Sequence, residues 1–295
     1  MSDTFTLAHL TDAHLPFHRG FRPAELLSKR GFSALNWIRK RRALHDPAVA
    51  AKLVQDIAHA APDHIAMTGD AVNFGLPREY AAAAGWLASI GPAERVSFVP
   101  GNHEALTPGF EPGLTDAYGP FMTGDDGEVG APYLRRRGPM ALIGVSSAIA
   151  TPPFRATGRV GPAAIAKLKA LLAEARGAIR VVLIHHPPAG PCKPRRRLLD
   201  APAVAAAIGE AGAELVLHGH NHRSQFGWID GAAGRIPVLG APSASIGPGG
   251  REDPAEWRRI SLIDRGDHAQ IDVERRRLGE TGVGCAGLWS FRSPK

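Results

Sequence analysis

Short apolar runs alternate along this chain with stretches whose apolar residues return every third or fourth position. That alternation predicts βαβ units and an α/β fold. Phe5–Leu10 reads as the first strand. Asp46, as N-cap, and Pro47, in the first helical position, open a helix with Val49, Leu53, Val54 and Ile57 at helical spacing. His64–Thr68 is a second strand, Pro77–Ile90 an Ala-rich helix, and Arg95–Val99 a third strand. Met140–Ser146 follows, with Tyr133–Arg136 pairing to it across Gly138-Pro139. A helix over Pro162–Arg176 is stopped by Gly177 as a C-cap glycine. Ile179–Ile184 is a continuous apolar run of the kind buried in a sheet centre. Pro202–Ala211 is helical and Leu215–Leu217 extended. Phe226–Ile229, Ile236–Leu239, Arg259–Ile263 and Gln270–Val273 alternate or are short, so the last part of the chain reads as mainly antiparallel strands. No repeat or low-complexity linker divides the chain, and one domain over 1–295 is expected.

Asp, Asn and His residues collect just after the strands. Asp12 and His14 stand in LTDAH, Asp70 in TGDAVN, and Asn102 and His103 in PGNHE. His185 and His186 stand in IHHPP, and His218, His220 and His222 in HGHNH. Open α/β sheets bind ligands beyond the carboxyl ends of their strands, so these loops can converge. Imidazole and carboxylate donors without a thiolate suit a catalytic Mn, Fe, Zn or Co ion more than a closed structural zinc site. Seven donors exceed one tetrahedral ion. Two divalent ions sharing a carboxylate would use them, as the paired ions of phosphatases and nucleases do at about 3.5–4 Å separation.

DAH, GDAVN, GNHE, HHPP and HGHNH resemble, in order and approximate spacing, the calcineurin-like metallophosphoesterases, over Asp12 to His222. The bacterial class III cyclic-nucleotide and glycerophosphodiester phosphodiesterases, which typically carry HHPP and GH-x-H, are the most similar group. The resemblance implies a four-layer α-β-β-α sandwich, two mixed sheets flanked by helices. It implies one ion on Asp12, His14, Asp70 and His222, and a second on Asp70, Asn102, His185 and His220. Asp70 would bridge them together with a hydroxide that attacks phosphorus in line. His103 would act beside the phosphate as electrostatic stabiliser or general acid. Asn73 would orient ligands from behind, and His218 would lie beneath the site. His186 competes with His185 as the ligand, and otherwise is expected to meet substrate. The implied activity is hydrolysis of a phosphodiester: a cyclic nucleotide, a glycerophosphodiester or a similar small molecule. The alternative, a lipid-linked or nucleotide pyrophosphate at a membrane surface, is supported only by the basic amphipathic stretch at 19–42. Some relatives, such as the retromer scaffold subunit, use the fold as a binding surface, usually with degenerate ligands; here the ligand set is complete. Only the resemblance suggests a homodimer. Two positions depart from the common pattern: Asn221 stands where Thr is frequent, and Glu104 where many diesterases carry Asp.

Composition ranks partners without choosing one. The 295 residues are 44% hydrophobic and 21% charged, an ordinary globular composition with ample material for a core. A net charge of +7 favours anionic partners, such as a small phosphate-ester substrate, but no dedicated nucleic-acid module is present. Residues 19–42 interleave cations with Phe21, Leu26, Leu27, Phe32, Leu35, Trp37 and Ile38, forming a basic amphipathic insertion near 16–45. It reads as a solvated helix packed on the domain, a substrate lid, or a contact to a membrane surface. Arg195 and Arg196, in KPRRR after HHPP, are placed to steer an anion. The RRR runs at 135–137 and 275–277 read as solvated. His9, His45, His59, His64 and His268 read as surface or core histidines, and so does His18 unless it touches substrate. Cys192 and Cys285 form no framework and read as free thiols in a reducing compartment. No secretory signal is read at the N-terminus, and no apolar run approaches the ~20 residues of a membrane helix. A cytoplasmic protein is expected.

Overall fold

The structure is a computed structural model that describes residues 4–17 and 20–295. His18, the conditional substrate contact, and Arg19, the first residue of the basic stretch, lie outside the described residues. Among the described residues, strands β1 (Phe5–Leu10), β2 (His64–Met67) and β3 (Val96–Phe98) run parallel. Strands β10 (Glu256–Asp264), β11 (His268–Gly279) and β12 (Gly282–Pro294) extend this sheet antiparallel, giving the order β12-β11-β10-β1-β2-β3. A second sheet has the order β4-β5-β6-β7-β9-β8, from β4 (Tyr133–Arg137), β5 (Met140–Val145), β6 (Ile179–Ile184), β7 (Leu215–His218), β8 (Gln225–Gly231) and β9 (Gly234–Gly240). Its inner strands β5, β6, β7 and β9 are parallel, and β4 and β8 close the edges antiparallel. Both sheets are therefore mixed.

The two-residue period of a strand makes this arrangement follow from the sequence. In β6, Val181 and Leu183 enter the core shared with Leu7, Met67 and Ile260 of the first sheet. Val182 and Ile184 face the other way, packing with Leu168 and Leu172 of the helix Pro162–Glu174 and Val204 and Ile208 of the helix Ala201–Ala211. Each such buried side chain contributes about 1.5–3 kcal/mol relative to exposure. Val49, Leu53 and Ile57 of the helix Pro47–Ala60 and Tyr80, Ala83 and Leu87 of the helix Pro77–Ile90 join the first core. Two mixed sheets flanked by helices result, as expected. Asp46 caps the helix Pro47–Ala60, its carboxylate accepting from Ala48 N at 2.8 Å.

Two readings change. Strand β12 has no counterpart among the expected strands, because Gly282, Gly284 and Gly287 interrupt its alternation. The RRR runs are not simply solvated. Arg135 is buried, its guanidinium donating to the carbonyls of Ala93, Pro120, Val96 and Thr123 at 2.7–2.8 Å. Arg275 and Arg277 pair with buried Glu256, and Arg276 with Asp56. Arg135→Ala would strand several carbonyls, and urea unfolding is expected to show a loss of about 2–4 kcal/mol.

Candidate metal centre

Every candidate ligand sits in a loop leaving the carboxyl end of β1, β2, β3, β6 or β7, at the edge the two sheets share. The loops lock to one another through the backbone. Asp12 N donates to Gly69 O at 2.9 Å and His14 N to Asp70 O at 3.0 Å. The loop after β9 closes the far side, where Ser243 Oγ donates to Asp12 O at 2.6 Å. Glu104 ties the β2 and β3 loops together: its buried carboxylate accepts from the amides of Asp70, Ala71, Val72 and Gly101 at 2.8–3.3 Å. Burial and then Asp70 push its carboxyl up to about 7, while these amides favour the charged form. The Asp/Glu alternative at this position hid this bracing role at the level of sequence.

The donor atoms converge in two groups around Asp70. His222 Nε2 lies 3.1 Å from Asp12 Oδ1, and His14 Nε2 lies 3.3 Å from His222 Nε2 and 4.0 Å from Asp70 Oδ2. On the other side His185 Nε2 lies 3.3 Å from Asp70 Oδ2, 3.4 Å from Asn102 Oδ1 and 3.2 Å from His220 Nδ1. The outer ring nitrogens are held by backbone carbonyls. His14 Nδ1 donates to Val72 O at 3.2 Å, His185 Nδ1 to Thr68 O at 2.6 Å, and His220 Nε2 to Arg196 O at 2.8 Å. Carbonyls in these places fix the tautomer and turn the remaining nitrogen inward, as histidine metal ligands require. Inward nitrogens this close repel unless positive charge lies among them. Burial lowers the His185 ring, but Asp70 outweighs it and lifts the ring to about 9. Burial works to raise Asp70, yet His185 and His103 hold it well below the carboxylate range. The donor set fits divalent cations by chemistry and by convergence.

The other candidates divide. His103 stands at the rim, its Nδ1 donating to Asn73 O at 2.7 Å. Asn73 also reaches back, its amide donating to Leu15 O at 2.8 Å. His218 is buried beneath the loops, with Nδ1 on Gly219 O at 2.9 Å. His186 does not meet the expectation of a substrate contact: it is fully buried, with Nδ1 at 2.8 Å from Ser147 Oγ and Nε2 at 3.2 Å from Ala156 O. Both its nitrogens are thus engaged away from Asp70, whereas His185 faces it. Arg195 and Arg196 line a mouth of about 430 Å³ with Asn102, His103, Arg41 and Arg155.

Two neighbours of the centre were not singled out in the sequence. Arg41 reaches in from the insertion, placing one guanidinium nitrogen 2.5 Å from His103 Nε2 and the other 2.8 Å from His14 Nε2. Burial lowers its guanidinium to about 10, which leaves it a cation at neutral pH. Four residues on, His45 packs its ring 4.4 Å from that of His14, with Nδ1 on Ser245 Oγ at 2.8 Å and a buried Nε2 without a partner. Within RKRR the sequence carries no signal that separates Arg41 from the arginines around it.

The chain matches the calcineurin-like phosphoesterase family model over residues 5–224 and belongs to that family. A search of curated proteins finds no significant match. Among solved structures it is similar to GAP50, described as the anchor in the inner membrane complex of Plasmodium. That likeness has 13% identity and a TM-score of 0.57, covering 99% of this chain and 90% of that one. It is similar also to the purple acid phosphatase PPD1 of yellow lupin, with 11% identity and a TM-score of 0.59, covering 99% of this chain and 54% of that one. At such identities the likeness shows the fold alone.

Gly101 tests the packing of the centre. A Cβ there would overlap Asp70 Oδ1 and the His185 ring. Gly101→Ala is expected to keep the circular-dichroism spectrum of the fold while weakening divalent-metal binding at least about tenfold by isothermal titration.

Proposed function

We propose that the chain is a dinuclear metal-dependent phosphoesterase that hydrolyses a phosphodiester. The observation that carries this reading is the carbonyl-pinned set of inward histidine nitrogens around Asp70. Asp12, His14, Asp70 and His222 would hold one ion, and Asp70, Asn102, His185 and His220 the other. Mn, Fe, Zn and Co all suit these donors. A divalent pair, when bound, supplies charge neutralisation at the phosphate and makes water a stronger acid near neutral pH.

The chain's own groups do the rest. Arg41 and Arg196, both at the mouth, present guanidinium donors to the phosphate oxygens. His103 is held neutral: burial, then Arg41, lowers its ring to about 3, and its Nε2 faces Arg41. A ring so lowered is too weak a base to take the water's proton; at the rim of the mouth its Nε2 accepts from Arg41 and orients that guanidinium towards the phosphate. Water oxygen bonds to phosphorus, the ester P–O bond breaks, and the departing alkoxide takes up the proton that the attacking water gives up, leaving as an alcohol. The choice of a diester rests on the resemblance of the HHPP and HGHNH motifs to those of diesterases.

The anchor described for Plasmodium raises a scaffold reading. The complete donor set supports the enzyme over it, and metal analysis separates the two. Purified protein is expected to bind about two divalent ions and to hydrolyse bis(p-nitrophenyl) phosphate with added Mn²⁺. Asp70→Ala should lose both properties, and an Asp70→Ala protein with wild-type turnover would sink the assignment.

Arg41 gives a second test. Arg41→Ala should raise KM for the diester about 10–100-fold, the worth of a charge-assisted hydrogen bond, with metal content unchanged. Arg41→Lys should recover part of the loss, since it keeps the charge but not the fork.

A further inference from the structure

The insertion has two faces, and only one is used. Its inner face is anchored. Arg30 donates to Phe74 O and Gly75 O at 2.9 and 2.8 Å, and Arg78 pairs with Glu25 at 2.6 Å. Ala34 joins buried Phe74, Leu76 and Leu106, with Phe17, Phe21 and Trp37 around them. Lys29 straps the insertion across the mouth, donating to Thr151 Oγ1 at 2.6 Å and Arg155 O at 2.9 Å. The outer face is largely exposed. Leu27 is 89% exposed, Ile38 64%, Phe32 53% and Leu35 48%, and Phe154, in ring contact with Phe32, is 74% exposed. Arg22, Arg39, Lys40 and Arg42 are exposed on the same short segment.

Phe32 and Phe154 pair at the mouth and Ile38 lines an apolar groove, but packing on the domain does not explain Leu27 or Leu35. Exposed apolar side chains beside several cations match the chemistry of an anionic lipid surface, which takes hydrocarbon at its boundary and positive charge at its headgroups. The insertion also separates two openings that both reach the metal ligands. The cationic mouth meets Asn102 and His103. A groove of about 580 Å³, lined by Phe17, Phe21, Trp37 and Ile38, ends on His14. A cationic opening and an apolar one meeting at a phosphate-processing centre are complementary to a molecule with a phosphate head and a hydrocarbon tail.

We propose that the insertion docks the protein on anionic bilayers and that its substrate is a phosphate ester bearing a hydrocarbon tail, seated in the Phe17–Phe21–Trp37–Ile38 groove. The substrate half rests on the phosphoesterase reading; the docking half does not.

The experiment uses the full chain and vesicles of phosphatidylcholine with one third phosphatidylglycerol. Sedimentation should show binding that weakens with added salt. Leu27→Gln/Leu35→Gln should weaken it at least tenfold while leaving bis(p-nitrophenyl) phosphate turnover unchanged, because neither residue lines an opening. In parallel, glycerophosphoglycerol is compared with its mono- and diacylated forms, and kcat/KM should rise at least tenfold on acylation. Absence of vesicle binding, or equal turnover of acylated and unacylated forms, overturns the proposal even where bis(p-nitrophenyl) phosphate is cleaved. Vesicle binding without any phosphoesterase activity overturns the substrate half and the phosphoesterase reading, and leaves docking standing. Self-association abolished by Leu27→Gln/Leu35→Gln, without vesicle binding, reassigns the face to a second copy of the chain and overturns the lipid assignment.

Discussion

The whole centre depends on turning the chain sharply at the ends of parallel strands. Asp12, His14, Asp70, His220 and His222 all have positive φ, between 42 and 70°, a region that non-glycine residues occupy rarely. Among the described non-glycine residues only Ala61 and Phe154 share it. Strain of this kind costs of order 1–3 kcal/mol per residue and survives only where surrounding structure over-determines it. The surroundings here do so. Glu104 gathers amides from two loops, backbone pairs tie the β1 loop to the β2 loop, and His220 N donates to Asp12 Oδ2 at 2.9 Å across the sheets. Asp and His tolerate this region better than β-branched residues, so one choice of residue serves both the turn and the ligand.

The same constraint explains the glycines of the motifs. Gly219 lies where a Cβ would run into the side chains of Thr11 and Asp12. The HGH spacing is therefore as much a requirement of chain approach as of chemistry. What the motifs encode is a close crossing of two sheet edges, and the donor groups are the side chains that crossing leaves pointing inward.

Most of this frame was readable from sequence because it is local. Periodicity marks the strands, and each ligand follows its strand by a few residues. The resemblance put His185 ahead of His186, but the residues alone did not separate them, since both follow the same strand; the split depends on Ser147 and Ala156, which come from another loop. Arg135 and Glu256 were not readable for a similar reason: a charged residue in a strand looks solvated until the carbonyls or arginines that surround it are placed. Arg41 and His45 are the sharpest case. A π turn over Trp37–Arg41 at the end of the insertion sets them against His14, and single-turn π segments leave no mark in a hydrophobic pattern.

Arg41 also changes the electrostatic account of the centre. Two buried carboxylates, Asp12 and Asp70, are the acidic groups among the proposed ligands. A pair of divalent ions would exceed them in charge, and Arg41 adds a further cation against His14 and His103. Lys29, Arg155, Arg195 and Arg196 extend the excess to the mouth. A site with this balance is incomplete without an anion. Anion and metal then favour each other's binding, a reciprocal coupling required by linkage. The selectivity that follows is for charge at the mouth, and it is indifferent to what the far side of the ester carries. If the proposed tail-bearing substrate is the right one, discrimination among phosphate esters falls to the apolar groove on the other flank of the insertion, and the segment least like a family motif would decide what the motifs act upon.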